Sequence, residues 1–162
     1  MIKKIFILFF FIHIFNLYEI KSQIISKESE YLKCDTAKTN LDYALCTRVI
    51  ADSLNNRINT KYNFIVNKID SAITQNSENL DESKDTIYIR FSKQQIKYYK
   101  NIKNELIKSQ NLFFQYVNNE IKLTGVIIDK GKERIIYENL REIELLNRRL
   151  TYLNKIIYNF FD

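Results

Sequence analysis

Proline and tryptophan are absent from this 162-residue chain, which also holds one histidine, two cysteines and two glycines. The histidine, His13, lies in an apolar N-terminal stretch that we expect to be removed, so the mature chain would hold none. This excludes histidine-dependent catalytic triads and histidine-ligated metal sites, and two cysteines are too few for a thiolate zinc site. The two glycines, Gly125 and Gly131, are too few for a glycine-rich phosphate loop or a dinucleotide-binding fingerprint. We therefore predict no bound metal and no cofactor.

Charged residues are plentiful and interspersed. The 19 acidic residues leave a hydrolase built on paired carboxylates open, but no spacing singles out a pair. Carboxylates among lysines on helices usually belong to a solvated surface, so we predict that the protein is not an enzyme. The formal net charge of +6 at pH 7 is not concentrated in a basic stripe, and we therefore predict no nucleic-acid partner.

The N-terminus has the pattern of an export signal. Lysines at the start of the chain precede an apolar run over residues 5–15. The run is shorter than the roughly 20 residues of a membrane-spanning helix, and Ser22 is an acceptable small residue before a cleavage site. We predict a signal peptide over residues 1–22, followed by one domain over residues 23–162 that is secreted or periplasmic and has no membrane span. An uncleaved signal anchor is the alternative.

Apolar residues recur at steps of three and four along three segments, as they do on one face of a helix. The first stripe consists of Leu41, Leu45, Val49, Leu54, Ile58, Tyr62, Ile65, Ile69 and Ile73. The second consists of Tyr99, Ile102, Leu106, Gln110, Phe113, Val117 and Ile121. The third consists of Ile136, Leu140, Ile143, Leu146, Leu150, Leu153, Ile157 and Phe160. These stripes predict helices over about 40–74, 84–123 and 132–160. The predicted fold is all-α, an antiparallel bundle of three long helices with an N-terminal disulfide.

Two connections separate the predicted helices. Residues 75–83 are polar and turn-like, with Asp81 or Ser83 as the predicted N-cap of the second helix. Residues 124–132 contain both glycines and suit a helix–loop–helix connection. Residues 86–91 alternate like a strand, but a single short strand would have no partner, so we assign them to the start of the second helix.

Local signals refine this assignment. Thr39 and Asp42 have the spacing of a capping box at the start of the first helix, with Asp in place of the usual Glu. Three aromatic members of the stripes are predicted to lie in the core: Tyr62, Phe113 and Phe160. Two further tyrosines are predicted to lie at the rim with their hydroxyl groups in water: Tyr98 and Tyr116.

The two cysteines, Cys34 and Cys46, lie shortly after the predicted signal peptide. An even cysteine count in an exported chain predicts a disulfide, which would hold the lead-in against the first turns of helix one. A loop of this length contributes about 3 kcal/mol in the chain-entropy model. A redox-active pair is the alternative, and the absence of C-x-x-C spacing argues against it.

Two segments of the chain are similar to a known family. The first reads Cys34, T-N-L-D at 39–42, Cys46 and I-N-T-K-Y at 58–62. The second reads L-I-K-S-Q at 106–110, then Phe113, Tyr116 and Glu120. They resemble the LprI-like lysozyme inhibitors, small secreted bacterial proteins with a cysteine pair, then L-N-x-x-Y, and later L-K-x-A-Q-x-x-W-x-x-[YF]-R-x-x-E-C. The resemblance covers about half of the predicted mature chain. It implies a helical domain that binds a lysozyme.

The chain departs from that pattern at several positions. Ile58 stands where the family has Leu, Phe113 where Trp is usual, and Val117 where Arg is common. The family's second cysteine pair is missing, and its members would fall at Ile121 and Leu140. Two apolar residues there could keep the second and third helices in contact, with burial worth roughly 1.5–3 kcal/mol per side chain. We therefore expect Ile121 and Leu140 to touch.

The leading interpretation is a secreted or periplasmic, non-enzymatic binding protein of LprI-like type, with a lysozyme as the partner that the resemblance implies. Many lysozymes are cationic, and this chain carries about +4 after removal of residues 1–22, so an inhibitor needs a local acidic or wedge-like contact surface. The alternative is a structural or assembly module of the cell envelope that acts through helix–helix contacts of its third helix and aromatic C-terminus. The sequence leaves the oligomeric state open.

The connection over residues 124–132 is the candidate partner-binding loop, because an inhibitor of a cleft enzyme needs a protruding element. Its glycines free the backbone, and Ile127 contributes to an apolar tip. Asp129 and Lys130 could meet polar groups of the partner. The alternative is that the apolar residues 126–128 simply cap the end of the bundle.

Overall fold

The computed structural model describes residues 34–82, 84–128, 131 and 133–161. Three helices hold most of these residues and none of them lies in a strand, so the all-α prediction is confirmed. The helices are α1 (Asn40–Glu82), α2 (Thr86–Ile127) and α3 (Arg134–Phe161). The predicted signal peptide over residues 1–22 lies outside the described residues.

The chain divides into two compact units, residues 1–46 and residues 47–162. The described part of the first unit contains the predicted disulfide. It joins Cys34 to Cys46, with 5.7 Å between their Cα atoms. Because both cysteines are bonded, no free thiol remains among the described residues.

The predicted capping box begins α1. Thr39 Oγ1 accepts a hydrogen bond from the backbone N–H of Asp42 at 3.1 Å, and Asp42 Oδ2 accepts one from the backbone N–H of Thr39 at 3.1 Å. These reciprocal bonds satisfy N–H groups that have no partner within the helix. The prediction is confirmed, with a stabilisation of about 1 kcal/mol expected for such a cap.

The buried face of α1 differs from the predicted stripe at its start. Four predicted members are buried: Leu54, Ile58, Ile65 and Ile69. Three others are exposed: Leu41, Leu45 and Val49. Steps of three and four counted back from Leu54 reach Ala51, Ile50 and Thr47, which are buried. The prediction was wrong here because it followed the largest apolar side chains, whereas the helical period selects smaller and polar ones.

α1 also continues beyond its predicted end, through residues assigned above to a connection. Residues 75–82 contain neither proline nor glycine. Asn76 Nδ2 and Ser77 Oγ donate to backbone carbonyls one turn earlier, at 2.8 and 2.9 Å. These side chains are satisfied within the helix, and polar composition alone therefore does not end it.

α2 begins at Thr86, which confirms the helical assignment of this strand-like segment. Its N-cap is Asp85, whose side chain accepts a hydrogen bond from the backbone N–H of Ile87 at 2.8 Å. The predicted caps were Asp81 and Ser83. Asp81 instead lies inside α1, and Ser83 is outside the described residues.

α3 runs antiparallel to α2, as predicted. Arg141, near the start of α3, donates to Glu120, near the end of α2, with Nε 3.0 Å from Oε2. Arg149, two turns later, reaches back to Gln110, with Nε 3.0 Å from Oε1. Residue numbers thus rise along α3 as they fall along α2, which is the antiparallel register of a helical hairpin.

The predicted stripes of α2 and α3 supply most of the remaining core. Their buried members are Leu106, Gln110, Val117, Ile143, Leu146, Leu150 and Leu153. Tyr62 and Phe113 are half-buried, whereas Phe160 is 63% exposed, so its core assignment was wrong. It lies beyond Leu153, the last buried residue of α3. The rim positions of Tyr98 and Tyr116 are confirmed by their exposure.

The expected contact between Ile121 and Leu140 stays a prediction. Both side chains are half-buried, on α2 and α3 respectively. Their chain neighbours Glu120 and Arg141 form an ion pair between the same two helices. This places the two backbones close together at that level of the hairpin.

Candidate functional site

A groove of about 810 Å³ opens where α3 ends against α1 and α2. α3 has 28 residues, whereas α1 has 43 and α2 has 42. Phe161, the last described residue of α3, lines the groove together with Tyr98, although α2 already begins at Thr86. The hairpin of α1 and α2 therefore extends past α3, and within the described residues this side of the core has no covering helix.

The groove is lined mainly by apolar and aromatic side chains. The aromatic ones are Tyr98, Tyr99, Tyr152, Phe160 and Phe161. The aliphatic ones are Ile65, Ile69, Ala72, Ile102, Leu106 and Ile156. Lys68 and Glu105 add one charge of each sign. A lining of this kind suits the apolar body of a ligand, with a few polar groups left to orient it.

Arg149 lies behind one wall of this groove and is only 7% exposed. Its Nη1 donates to Ser109 Oγ at 3.1 Å, and its guanidinium stands 5.3 Å from the ring centre of Tyr152. Both Ser109 and Tyr152 also line the groove. On another side the Phe113 ring lies 5.4 Å from the guanidinium. The partners of this cation are thus neutral hydroxyl, amide and aromatic groups.

Burial changes the electrostatics of Arg149. Removal of water lowers the pKa of its guanidinium from the ordinary value, while the nearby phenols of Tyr152 and Tyr62 oppose that shift. An arginine keeps its proton in a protein, so the group remains a cation. Aromatic faces supply part of the lost solvation through cation–π attraction, worth about 2 kcal/mol at a desolvated site.

Gln110 completes the cluster. Its Oε1 accepts two hydrogen bonds from Arg149, from Nε at 3.0 Å and from Nη2 at 2.7 Å. These two hydrogen bonds fix the orientation of the Gln110 amide. Nε2 is the remaining polar atom of that amide. Gln110 Nε2 is buried and has no hydrogen-bond partner in the described part of the chain. A buried donor without an acceptor costs about 1–3 kcal/mol and calls for an explanation.

A second buried charge on α3 has partners. Glu142 accepts a hydrogen bond from Arg48 Nη1 at 3.0 Å and one from Asn55 Nδ2 at 3.2 Å. Nearby, Asn139 Nδ2 donates to Thr47 Oγ1 at 3.1 Å. This layer joins α1 to α3 through complementary donors and acceptors, which is the arrangement of a structural contact.

The predicted partner-binding loop is shorter than expected, because α2 continues to Ile127. Ile127 is 71% exposed and Val126 is 72% exposed, so these two side chains do not cap the bundle. Leu123, one turn earlier on α2, and Ile135, in the first turn of α3, are exposed as well. We call Leu123, Val126, Ile127 and Ile135 the tip patch. Asp129 and Lys130 lie outside the described residues.

Gly125 has a different role from the one predicted. It lies inside α2 and is buried, instead of freeing a loop backbone. A Cβ atom placed on it would collide with Glu138 Oε1 and would lie 2.7 Å from Arg134 Nη2. Arg134 and Glu138 form an ion pair at 2.7 Å in the first turn of α3. The missing side chain therefore allows this pair to lie against the last turn of α2.

Sequence reasoning missed the contact between Arg149 and Gln110 beside the groove, although two signals for it were present. Gln110 is the one polar member of the second stripe. Arg149 follows Leu146 by three residues and precedes Leu153 by four, so the helical period places it on the buried face. A polar residue and a cation at core positions of adjacent helices indicate a buried polar contact. The groove itself depends on where α3 ends relative to α1 and α2.

Two further observations on the described residues concern metal binding and membrane spans. No cluster of three or more His, Cys, Asp or Glu side chains among them could hold a metal ion. None of the described helices is long and apolar enough to cross a membrane.

No protein-family model, no curated protein and no solved structure matches this chain. The resemblance to the LprI-like family is therefore supported by the quoted residues alone. Of those residues, the two cysteines, Thr39 and Asp42 now have a structural role at the start of α1.

Proposed function

We propose that the chain is an exported, non-enzymatic binding protein of LprI-like type that contacts a protein partner through the tip patch. The observation that carries this proposal is the exposure of four large apolar side chains around the connection of α2 and α3. Contiguous exposed apolar surface commonly marks an interaction site. The resemblance implies a lysozyme as the partner.

The disulfide supports the export part of the proposal. Disulfides persist mainly in secreted and periplasmic proteins, because the cytosol keeps thiols reduced. The bond between Cys34 and Cys46 is consistent with that compartment. The apolar N-terminal run of the sequence points in the same direction.

The apolar character of the tip patch suits a cationic partner better than a basic surface of this chain would. The net charge of about +4 predicted for the mature chain slows encounter with a cationic enzyme. Distant charges of the same sign do not weaken the burial of apolar surface between two proteins. They do weaken the electrostatic steering that brings the two proteins together. We therefore expect slow association whose rate rises with salt concentration, since salt screens the repulsion.

A pair of matched variants tests this proposal. We expect the exported protein to bind at least one lysozyme in a pull-down and to slow its hydrolysis of cell walls. Val126→Ser/Ile127→Ser should weaken binding at least tenfold with unchanged helicity. Ile87→Ser, at an equally exposed position at the other end of α2, should have no effect. Full binding by the double variant would refute the role of the tip patch, and no binding of any lysozyme by the unmodified protein would refute the partner.

The alternative function, assembly through helix–helix contacts, would need a surface other than the regular stripe of α3. Leu146, Leu150 and Leu153 of that stripe are buried within the second unit. Phe160 and Tyr158 remain exposed at the end of α3 and would have to provide the contact. Measurement of the mass in solution separates the two functions, because a stable dimer formed without a lysozyme favours assembly.

A further inference from the structure

We propose that the groove at the end of α3 binds a free aliphatic carboxylate, with the carboxylate received by Arg149 and Gln110 and the aliphatic chain held in the groove. This site is separate from the tip patch and does not depend on the proposed function. Three observations carry it: the cation has no counter-charge among the described residues, the cluster has unused donors, and the adjoining groove is mainly apolar.

Arg149 differs from the other arginines of α3. Arg134, Arg141 and Arg148 each pair with a glutamate, and their side chains are 29–71% exposed. Arg149, the most buried, donates only to Gln110 and Ser109 and has no carboxylate partner among the described residues. Buried charges are normally paired, because removal from water costs several kcal/mol per ion. The cluster therefore lacks an anion.

The hydrogen-bond inventory gives the same result. A guanidinium has five N–H groups, and the contacts of Arg149 use three of them. Gln110 Nε2 adds an amide donor that has no partner in the described part of the chain. Within the described residues, Arg149 donates to two acceptor atoms, one amide oxygen and one hydroxyl oxygen. Surplus donors around a cation are complementary to a carboxylate, which has only acceptors.

The groove determines what the carboxylate is attached to. Ser109 and Tyr152 contact Arg149 and also line the groove, so the cation lies directly behind that wall. Beyond them the lining continues through Ile102, Ile156 and Phe160. A carboxylate that replaces the Ser109 hydroxyl at Arg149 would leave its chain against these residues. The exchange gives the guanidinium an anionic acceptor, and with it an ion pair, in place of a neutral hydroxyl acceptor.

An aliphatic chain fits this lining better than a peptide does. A peptide brings one N–H and one C=O group per residue, and buried backbone groups need partners. Lys68, Glu105, Asn101 and Ser109 supply most of the non-aromatic polar groups of the lining, too few for an extended backbone. The volume of about 810 Å³ is within the range of small-molecule sites. The occupant is thus a fatty-acid-like molecule.

Calorimetric titration with decanoate tests the proposal, with decyltrimethylammonium and acetate as comparators. We expect decanoate to bind at least tenfold more tightly than the cation of equal chain length, and acetate not to bind measurably. The chain has no tryptophan, so quenching of tyrosine fluorescence offers a second readout at Tyr98, Tyr99 and Tyr152. Equal affinity for decanoate and decyltrimethylammonium, or no binding of decanoate, would overturn it.

Variants then locate the site. Arg149→Met should lower decanoate affinity at least tenfold, whereas Arg148→Met, at its exposed neighbour, should not change it. Because Arg149→Met leaves Gln110 without its partner, Arg149→Met/Gln110→Met provides a second variant that keeps the core apolar. Ala72→Phe narrows the groove from α1 and should also abolish binding. Unchanged decanoate affinity in folded samples of these variants would show that Arg149 only clamps α3 to α2.

Discussion

Two buried charges on α3 lie seven residues apart, two turns along the same face, and have opposite surroundings. Glu142 is 8% exposed and receives hydrogen bonds from the cation Arg48 and from Asn55. Among the described residues Arg149, which is 7% exposed, meets only neutral groups, and one of these, Gln110, keeps a buried donor unused there. The first layer is complete and joins helices. The second layer lacks an anion and adjoins a groove, which is why we place ligand binding there.

The largest effect on stability is expected at the apolar core position between the two layers. Leu146 lies between Glu142 and Arg149 on α3 and is fully buried. Leu146→Ala should lower the free energy of unfolding by about 2–5 kcal/mol, because it leaves a cavity as well as losing buried apolar area. Urea denaturation followed by circular dichroism measures this. The exposed Leu112 provides the control, since Leu112→Ala should change stability by less than about 0.5 kcal/mol.

A new cross-link beside the Glu142 layer tests whether that layer can be changed without affecting the Arg149 layer. Oxidised Ile121→Cys/Leu140→Cys should form a bond readily, as expected if the two residues touch, and should stabilise the protein by about 3 kcal/mol. Decanoate affinity should be unchanged, because the cross-link is remote from Arg149. Non-reducing mass spectrometry checks the bond. Two free thiols after oxidation would show that the third helix is aligned differently from the LprI-like pattern.

Smaller effects on the free energy of unfolding are expected when the two buried charges themselves are replaced. Arg149→Met should destabilise by about 1–3 kcal/mol, since Gln110 is then left without a partner. Arg149→Met/Gln110→Met should recover that loss, because replacing a buried polar pair by apolar residues is often neutral or stabilising. Glu142→Gln, the matched change in the complete layer, should cost about 1–2 kcal/mol. A double variant less stable than Arg149→Met would show that the cluster serves stability.

The smallest effect concerns an exposed ion pair on α3. The hydrogen bond from Arg141 holds the pKa of Glu144 below its usual range. Because the folded pKa is the lower one, this stabilisation is present above the unfolded pKa of about 4.3 and is lost as the pH falls through the folded value. Partial exposure limits it to less than about 1 kcal/mol. Glu144→Gln should flatten the acid side of the stability–pH curve, and the difference should shrink in high salt.

Much of the fold could be predicted because helical period, capping and breakers are local properties of the chain. The central part of the α3 stripe, from Ile143 to Leu153, and the capping box at Thr39 were read correctly for that reason. The end of α1 was misjudged, since polar residues without proline or glycine remain compatible with a helix. Val49 was misplaced because size was given more weight than spacing. Of the candidate partner-binding loop, Ile127 is exposed as a contact residue must be, but Gly125 is helical and buried.

The sequence by itself determined that this protein is helical, that its cysteines pair, and that no histidine follows His13. Only the tertiary structure decided which parts of α1 and α2 lie opposite the end of α3, and that Arg149 meets Gln110 instead of a carboxylate among the described residues. The physical reason is that periodicity assigns a residue to a face of its own helix. Which residue of another helix faces it depends on the register between helices, and packing of complete side chains sets that register.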